Sequence, residues 1–278
     1  MATRTRPITP ETARDRERVA RWRSEAGFFD AHAPEEIRGI DGRVAARYMQ
    51  PRRLWFNKEF RFRLLGPLQG QRVLDVGCGM GDNAILLALA GATVTGVDVS
   101  ARSIEVAERR ARASGLPHLP RFVCGPIEEV DLPEGHFDLV WVDGLLHHVI
   151  PELDLVLARL RVLARPSARV IFSEPVNRVP LLRRLRELLP IPLDGTPGER
   201  PLEEAELAIV RRHVPDLRVR AFGLLGRVNR FVLPAGYEGA PLVRRALANL
   251  LCAADFAILS AGPVSRAGGM AVLHGRFL

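Results

Sequence analysis

Lysine is almost absent from this chain. Lys58 stands alone among 40 basic residues, and the other 39 are arginine. Together with abundant Ala, Gly, Pro and Leu, that skew reads as the imprint of a GC-rich genome rather than selection for phosphate contact. The formal charge of +8 is therefore a weak pointer to an anionic polymer. It is also uneven: residues 1–63 hold 15 basic and 9 acidic side chains. Cysteine is scarce as well. Cys78, Cys124 and Cys252 form no CxxC pair and cannot all pair with one another. This argues against a disulfide framework or a zinc site and for a reducing cytoplasm. No apolar leader opens the chain. A bilayer span needs roughly 20 apolar residues, and the most apolar stretch, Ala246–Ala261, holds Asn249 and Asp255. Stable membrane insertion is not expected. What is present is 278 residues, 47% of them hydrophobic. That excludes a disordered chain and allows one elaborated domain or two small ones.

The residue pattern predicts helices over Pro10–Phe29 and Pro51–Leu65. Short apolar runs then alternate with helical ones. Strands are expected at Arg72–Val76, Thr93–Val97, Arg121–Cys124, Phe137–Val142 and Arg169–Phe172. Helices are expected at Asn83–Ala90, Ala101–Ser114 with Ser100 as N-cap, and Glu152–Ala164. Such alternation means βαβ units, hence an α/β fold with a mostly parallel sheet and helices on both faces. After Glu174 the rhythm breaks. A helix at Arg178–Leu189, a loop at Ile191–Pro201 and a helix at Leu202–His213 read as an insertion after the fifth strand. Strand-like Leu217–Leu225 and Met270–Gly275 complete the sheet, and helix Pro241–Ser260 either covers it or forms a homodimer interface.

The strongest motif is Val73-Leu74-Asp75-Val76-Gly77-Cys78-Gly79-Met80-Gly81. An apolar strand ends in alternating glycines and enters a helix, which lets a ligand approach the backbone closely. Asp98 ends the second strand, where a carboxylate can accept from both ribose hydroxyls of an adenosine cofactor. A dinucleotide loop would carry a third glycine at position 82. Asp82 stands there instead and would repel a pyrophosphate at the helix N-terminus. A phosphate-free, positively charged cofactor fits better, and S-adenosylmethionine (SAM) meets that description.

On VLDVGCGMG (73–81), GDNAILLALAGA (81–92), VTGVDVS (94–100), HFDLVWVDGLLHHV (136–149) and FSEP (172–175), the sequence resembles the class I SAM-dependent methyltransferases. The likeness is good over about 70–175. It implies a Rossmann-like seven-stranded sheet and a division into an N-terminal helical lid (1–68), a SAM-binding core (69–175), a cap insertion (176–214) and a C-terminal part completing the sheet (215–278). It further implies that Asp75 and the backbone of Gly77, Cys78 and Gly79 hold the methionine end, Asp98 the ribose, and Val99 the adenine face. Gly81, Asn83, Asp143 and His148 join this cofactor set. The family often has a polar group after the third strand for the adenine amine. Here Pro126 takes its place, and Ile127 can cover the ring.

Methyl transfer is an in-line displacement that can need a base. His147 is the first candidate, because imidazole titrates near neutrality. His148 points about 100° away on a helix and serves a different role. Glu174 is a second base candidate, an acceptor-binding group or a structural acceptor. Cys78 reads as a small apolar filler rather than a nucleophile. Aromatics Trp55, Phe56, Phe60 and Phe62 interleave with arginines. They suit nucleic-acid stacking less well than a lid with a core-facing stripe and a solvated basic face; Tyr48 would touch cofactor or acceptor from that lid. Leucines 181, 182, 185, 188 and 189 in the cap suggest an apolar, natural-product-like small molecule as methyl acceptor. Two other functions stay open: methylation of nucleic acid or protein, and a non-catalytic SAM-binding module. Asp143-Gly144-Leu145-Leu146 lacks the block that grips a base amine, so no nucleic-acid partner is expected. No metal is expected.

Overall fold

The computed structural model describes residues 12–34, 37–116, 118–179, 199–234 and 236–278. Three helices come first: α1 (Ala13–His32), α2 (Gly42–Met49) and α3 (Asn57–Leu65). The alternating core follows as β1 (Arg72–Val76), α4 (Asp82–Leu89), β2 (Thr93–Asp98), α5 (Ala101–Ala113), β3 (Arg121–Cys124), β4 (Phe137–Asp143), α6 (Leu153–Leu163) and β5 (Ala164–Pro175). The chain then adds α7 (Glu204–His213), β6 (Arg218–Phe222), α8 (Leu242–Ile258) and β7 (Met270–Arg276).

The strands form one sheet in the order β3-β2-β1-β4-β5-β7-β6. It is parallel except for β7, which runs against both neighbours. The expected seven-stranded, mostly parallel sheet is thus what forms. Val73, Leu74, Leu139 and Val140 lie fully buried because helices pack on both faces, as a parallel sheet requires. One apolar cluster gathers around Val140, Leu157 and Phe172, the other around Trp141, Leu86 and Phe62. The strand order reverses between β1 and β4, which is where an open α/β sheet leaves a crevice.

Several boundaries differ from expectation for visible reasons. The helix expected over Pro51–Leu65 starts only at Asn57, because the Glu59 carboxylate captures the backbone N–H groups of Arg52 and Arg53 at 3.2 and 3.0 Å. Helix α2 was not expected; Asp41 caps it by accepting from the Arg43 amide at 2.7 Å. Strand β6 stops at Phe222 rather than Leu225. The next three amides, of Gly223, Leu224 and Leu225, donate to the buried Asp255 carboxylate at 2.8–3.0 Å instead of a strand. Ser100 caps α5 as expected, accepting from the Ser103 amide. Most of the helix expected at Arg178–Leu189 and of the following loop lies outside the described residues.

Candidate active site

At the reversal, the carboxyl ends of β1, β2 and β4 border a cavity of about 180 Å³. Gly77 and Gly79 line it from the loop after β1, Asp98 and Val99 from the end of β2, Pro126, Ile127 and Glu128 from beyond β3, and Asp143, Gly144 and His148 from the end of β4 onward. Trp22, Glu25 and Phe29 of α1 close it over.

The amides of the glycine loop are committed to β2. The amides of Gly77 and Cys78 both donate to the Val97 carbonyl, at 2.8 and 3.0 Å. The Gly79 amide donates to Asp98 Oδ2 at 2.8 Å. With these amides engaged, what the loop's backbone can offer a ligand is carbonyl oxygens. A pyrophosphate needs donors here, whereas an ammonium needs acceptors. Gly77 has φ +69°, and a Cβ there would sit 3.2 Å from Leu145. Asp98 is pinned by the Gly79 and Ser100 amides, leaving each carboxylate oxygen a further lone pair for the cavity. Asp75 is fully buried, and neither of its oxygens has a hydrogen-bond partner among the described residues. Burial first, and then the charge of Asp143, push its carboxyl up to about 8. Such an orphaned acid fits a cationic ligand group nearby.

Behind the cavity wall, Asp143 accepts from Asn83 Nδ2 at 3.0 Å and pairs with Arg61 at 2.9 Å. Arg61 also lies over the Trp141 ring, 4.9 Å from its centre. The expected solvated basic face on α3 is therefore wrong at this residue: Arg61 is 4% exposed, held inside by a carboxylate and an aromatic face. Lys58 lies 5.1 Å from the Tyr48 ring centre, its ammonium held below the ordinary value by burial and by Arg61. Tyr48 packs on Phe62 and stands outside the lining of this cavity. Asp75, Cys78, Gly81 and Asn83 likewise stand behind the lining rather than in it. Cys78 fills space against Gly96, and Gly81 is small because a Cβ would meet that of Ala107 at 3.0 Å.

The histidines divide as their positions demand. Glu174 is fully buried and accepts from the amides of Leu145, Leu146 and His147, at 3.0, 2.9 and 3.3 Å. It also holds His147 Nδ1 at 2.9 Å. Glu174 lines neither cavity, so of the roles considered for it the structural acceptor matches its place. His147 borders a second cavity of about 450 Å³ with Ser24, Glu199 and Arg200; His148 borders both. His148 Nδ1 lies 3.0 Å from carboxylate oxygens of Glu25 and Glu199. Burial works against its charge, but Glu25 and the other nearby carboxylates raise its pKa above the ordinary value. Ligand atoms of His147, His148 and Glu199 lie within 4.8 Å of one another.

Residues 73–167 match the model of a family described as a methyltransferase domain. That stretch carries a methyltransferase domain of the class I SAM-dependent kind. It is similar to the ubiquinone biosynthesis O-methyltransferase of Bordetella avium (strain 197N), 40% identical over 118 residues, which are 42% of this chain and 47% of that protein. The matched stretch spans between 39% and 66% of the length of these curated relatives. The geranyl diphosphate C-methyltransferase of Streptomyces coelicolor A3(2), with Mg²⁺, geranyl diphosphate and S-adenosyl-L-homocysteine, superposes with a TM-score of 0.57 at 13% identity, covering 97% of this chain and 100% of that one. The [4+2]-cyclase SpnF does so with a TM-score of 0.54 at 21% identity, covering 98% and 97%. These two likenesses concern the fold alone. SAM is the cofactor of the family. Among the described residues no helix is long and apolar enough to cross a membrane.

For a SAM-dependent methyltransferase, the cavity brings together Gly77, Gly79, Asp98, Val99, Pro126, Ile127, Asp143 and His148 of the expected cofactor set. It also holds residues the sequence reading missed. Glu128 lies two positions past Pro126; burial raises its carboxyl, and its Oε1 has no hydrogen-bond partner among the described residues. Trp22, Glu25 and Phe29 recur at spacings of three and four, so they share one face of α1. That spacing was readable; what it faced was not.

Proposed function

We propose that this chain transfers the methyl group of SAM to a small-molecule acceptor, in the cytoplasm and without a nucleic-acid partner. The observation carrying the proposal is the meeting of two cavities at His148, with Asp98 in the wall of one and His147 in the wall of the other. When bound, SAM supplies an electrophilic methyl on a sulfonium. Asp98 accepts from the ribose hydroxyls. The loop carbonyls and Asp75 favour the ammonium end. Val99 and Ile127 sandwich the adenine, and Glu128 accepts from its amine in the place Pro126 cannot serve. Asp143 and His148 close the methionine end. Helix α1 acts as lid, within the division into 1–68, 69–175, 176–214 and 215–278.

In its neutral form His147 donates from Nδ1 to Glu174, which leaves Nε2 as the acceptor of a proton. His147 is then the base toward an acceptor hydroxyl, and Glu174 is a positioning residue. The described wall of the second cavity includes Arg21, Ser24 and Arg200. This supports an acceptor with a polar or acidic group; its apolar, natural-product-like part rests on the leucines at 181–189. Homodimerisation belongs to the same proposal. It is supported by the outward row of α8, where Val243 and Leu250 are 80% and 67% exposed.

A SAM titration followed by transfer assays on lipophilic acids, isoprenoids and phenols tests the reading. Methylation of a phenol or acid is expected, unchanged by a metal chelator. Uptake of small polar acceptors alone would overturn the apolar part. Chelator-sensitive turnover would recast His147, His148 and Glu199 as cation ligands. SAM binding without transfer would favour the non-catalytic module. Sedimentation of the protein and of Leu250→Asp tests the dimer, which the charge should split.

A further inference from the structure

At the opposite end of the sheet lies a groove of about 230 Å³, floored by Leu64, Val170 and Ile171. Four basic side chains share its rim. In the antiparallel ladders, Arg169 lies directly opposite Arg276, and Arg218 directly opposite His274. Opposed residues share a sheet face, and so do residues two apart on one strand. All four side chains therefore leave the same face. Like charges placed directly opposite destabilise a ladder, so this arrangement asks for compensation.

The compensation within the groove is small. Asp216 is the one acid among its described lining residues, and its Oδ1 accepts the backbone N–H of Arg276 at 2.8 Å. The arginines are instead fixed by neutral acceptors. Arg169 donates to the Leu65 carbonyl and to Gln71 Oε1, both at 2.6 Å. Arg276 Nη1 donates to the Ser167 carbonyl at 2.9 Å. These bonds hold the guanidiniums in place without cancelling their charge. Crowding leaves its mark: Arg169 is held below its ordinary pKa by burial and by Arg276, and His274 by burial and by Arg218.

We propose that this groove binds a phosphate dianion, as a free phosphomonoester or as the headgroup of a lipid. Guanidinium forks match phosphate oxygens in shape as well as charge. The site is separate from the cavity at β1 and β4. Arg169 and Glu174 lie five residues apart on β5, roughly 17 Å at the rise of a strand.

The test is calorimetric titration of inorganic phosphate against chloride at matched ionic strength. Wild-type protein should bind phosphate, and Arg218→Ala with Arg276→Ala, both at exposed positions, should weaken it by at least about tenfold. SAM binding should be unchanged in that double variant. Asp216→Asn, which keeps the Oδ1 acceptor and removes the opposing charge, should tighten phosphate binding. Co-sedimentation with phosphatidic acid vesicles, against phosphatidylcholine alone, assigns the headgroup as source; phosphate binding without sedimentation assigns a soluble phosphomonoester. Equal heats for phosphate and chloride, or equal affinity in wild type and double variant, overturns the proposal.

Discussion

Two parts of the cavity wall are built from different materials. Around the glycine loop the wall is backbone tied to β2, with Gly77 and Cys78 held by Val97 and the Gly79 and Ser100 amides held by the Asp98 carboxylate. Around His148 it is side chains brought from far apart in the chain: Glu25 on α1, His148 after β4, and Glu199 beyond β5. No residue of α1 is fully buried. It is held by polar links such as Arg18 to Glu129, Arg21 to Glu152 and Asp30 to Ser100. One part is thus a rigid fixture of the sheet, and the other depends on ionisation. Shape should hold in the first part across a wide pH range, while the second should loosen when its charges change.

The largest effect should come from the backbone part. Two charge-assisted hydrogen bonds of about 1.5–3 kcal/mol each rest on Asp98, so Asp98→Ala should weaken SAM by at least about 100-fold in calorimetry. A loss below tenfold would remove Asp98 as the ribose acceptor. Next comes the side-chain part. His147→Ala should lower turnover by about 10²–10⁴ while the SAM Kd stays within about twofold. Glu174→Gln keeps the shape and should shift the pH–rate profile rather than abolish activity; an unshifted profile would make its contact with His147 incidental.

The third comparison is in protons. Asp75 has its carboxyl raised to about 8, so at pH 7 it is mostly protonated. A bound cation favours the ionised form. SAM binding at pH 7 should release close to one proton, and the release should fade above pH 9. Titrations in buffers of different ionisation enthalpy read this directly, and zero release at pH 7 would exclude Asp75 as the partner of that charge. The smallest effect concerns α1. The pKa of His148 is raised, so its pairing with Glu25 stabilises fully below the ordinary histidine value near 6.5 and is lost as pH rises through the raised value. The protection factors of α1 amides, taken relative to the intrinsic base-catalysed exchange rate, should fall from pH 6 to pH 9, and Glu25→Gln should flatten that dependence.

How much was legible follows the same division. The strand run Val73–Val76, the glycines and Asp98 occupy one βαβ unit, so their spacing encodes their geometry. Ser100 as N-cap was legible for the same reason. Arg61 was misread because a basic residue beside aromatics has the same local signature on a surface as in a pocket; only Asp143, distant in sequence, makes it a buried one. The packing of Tyr48 on Phe62 was not legible either, because it depends on how helix α2 is seated on α3. Which backbone atoms of the loop stay available was not legible, because the acceptor of the Gly77 and Cys78 amides, Val97, belongs to the neighbouring strand.

Hydrophobic alternation and the glycine spacing determined an α/β sheet and an adenosine-cofactor loop without further help, because both are set by neighbours within about thirty residues. Tertiary structure decided the rest. The pairing of β7 with β5 and β6 put Arg169, Arg218, His274 and Arg276 on one face. The docking of α1 put Glu25 on His148. Register between distant strands and the seating of a helix are settled by packing over the whole chain, and no local pattern of residues records them.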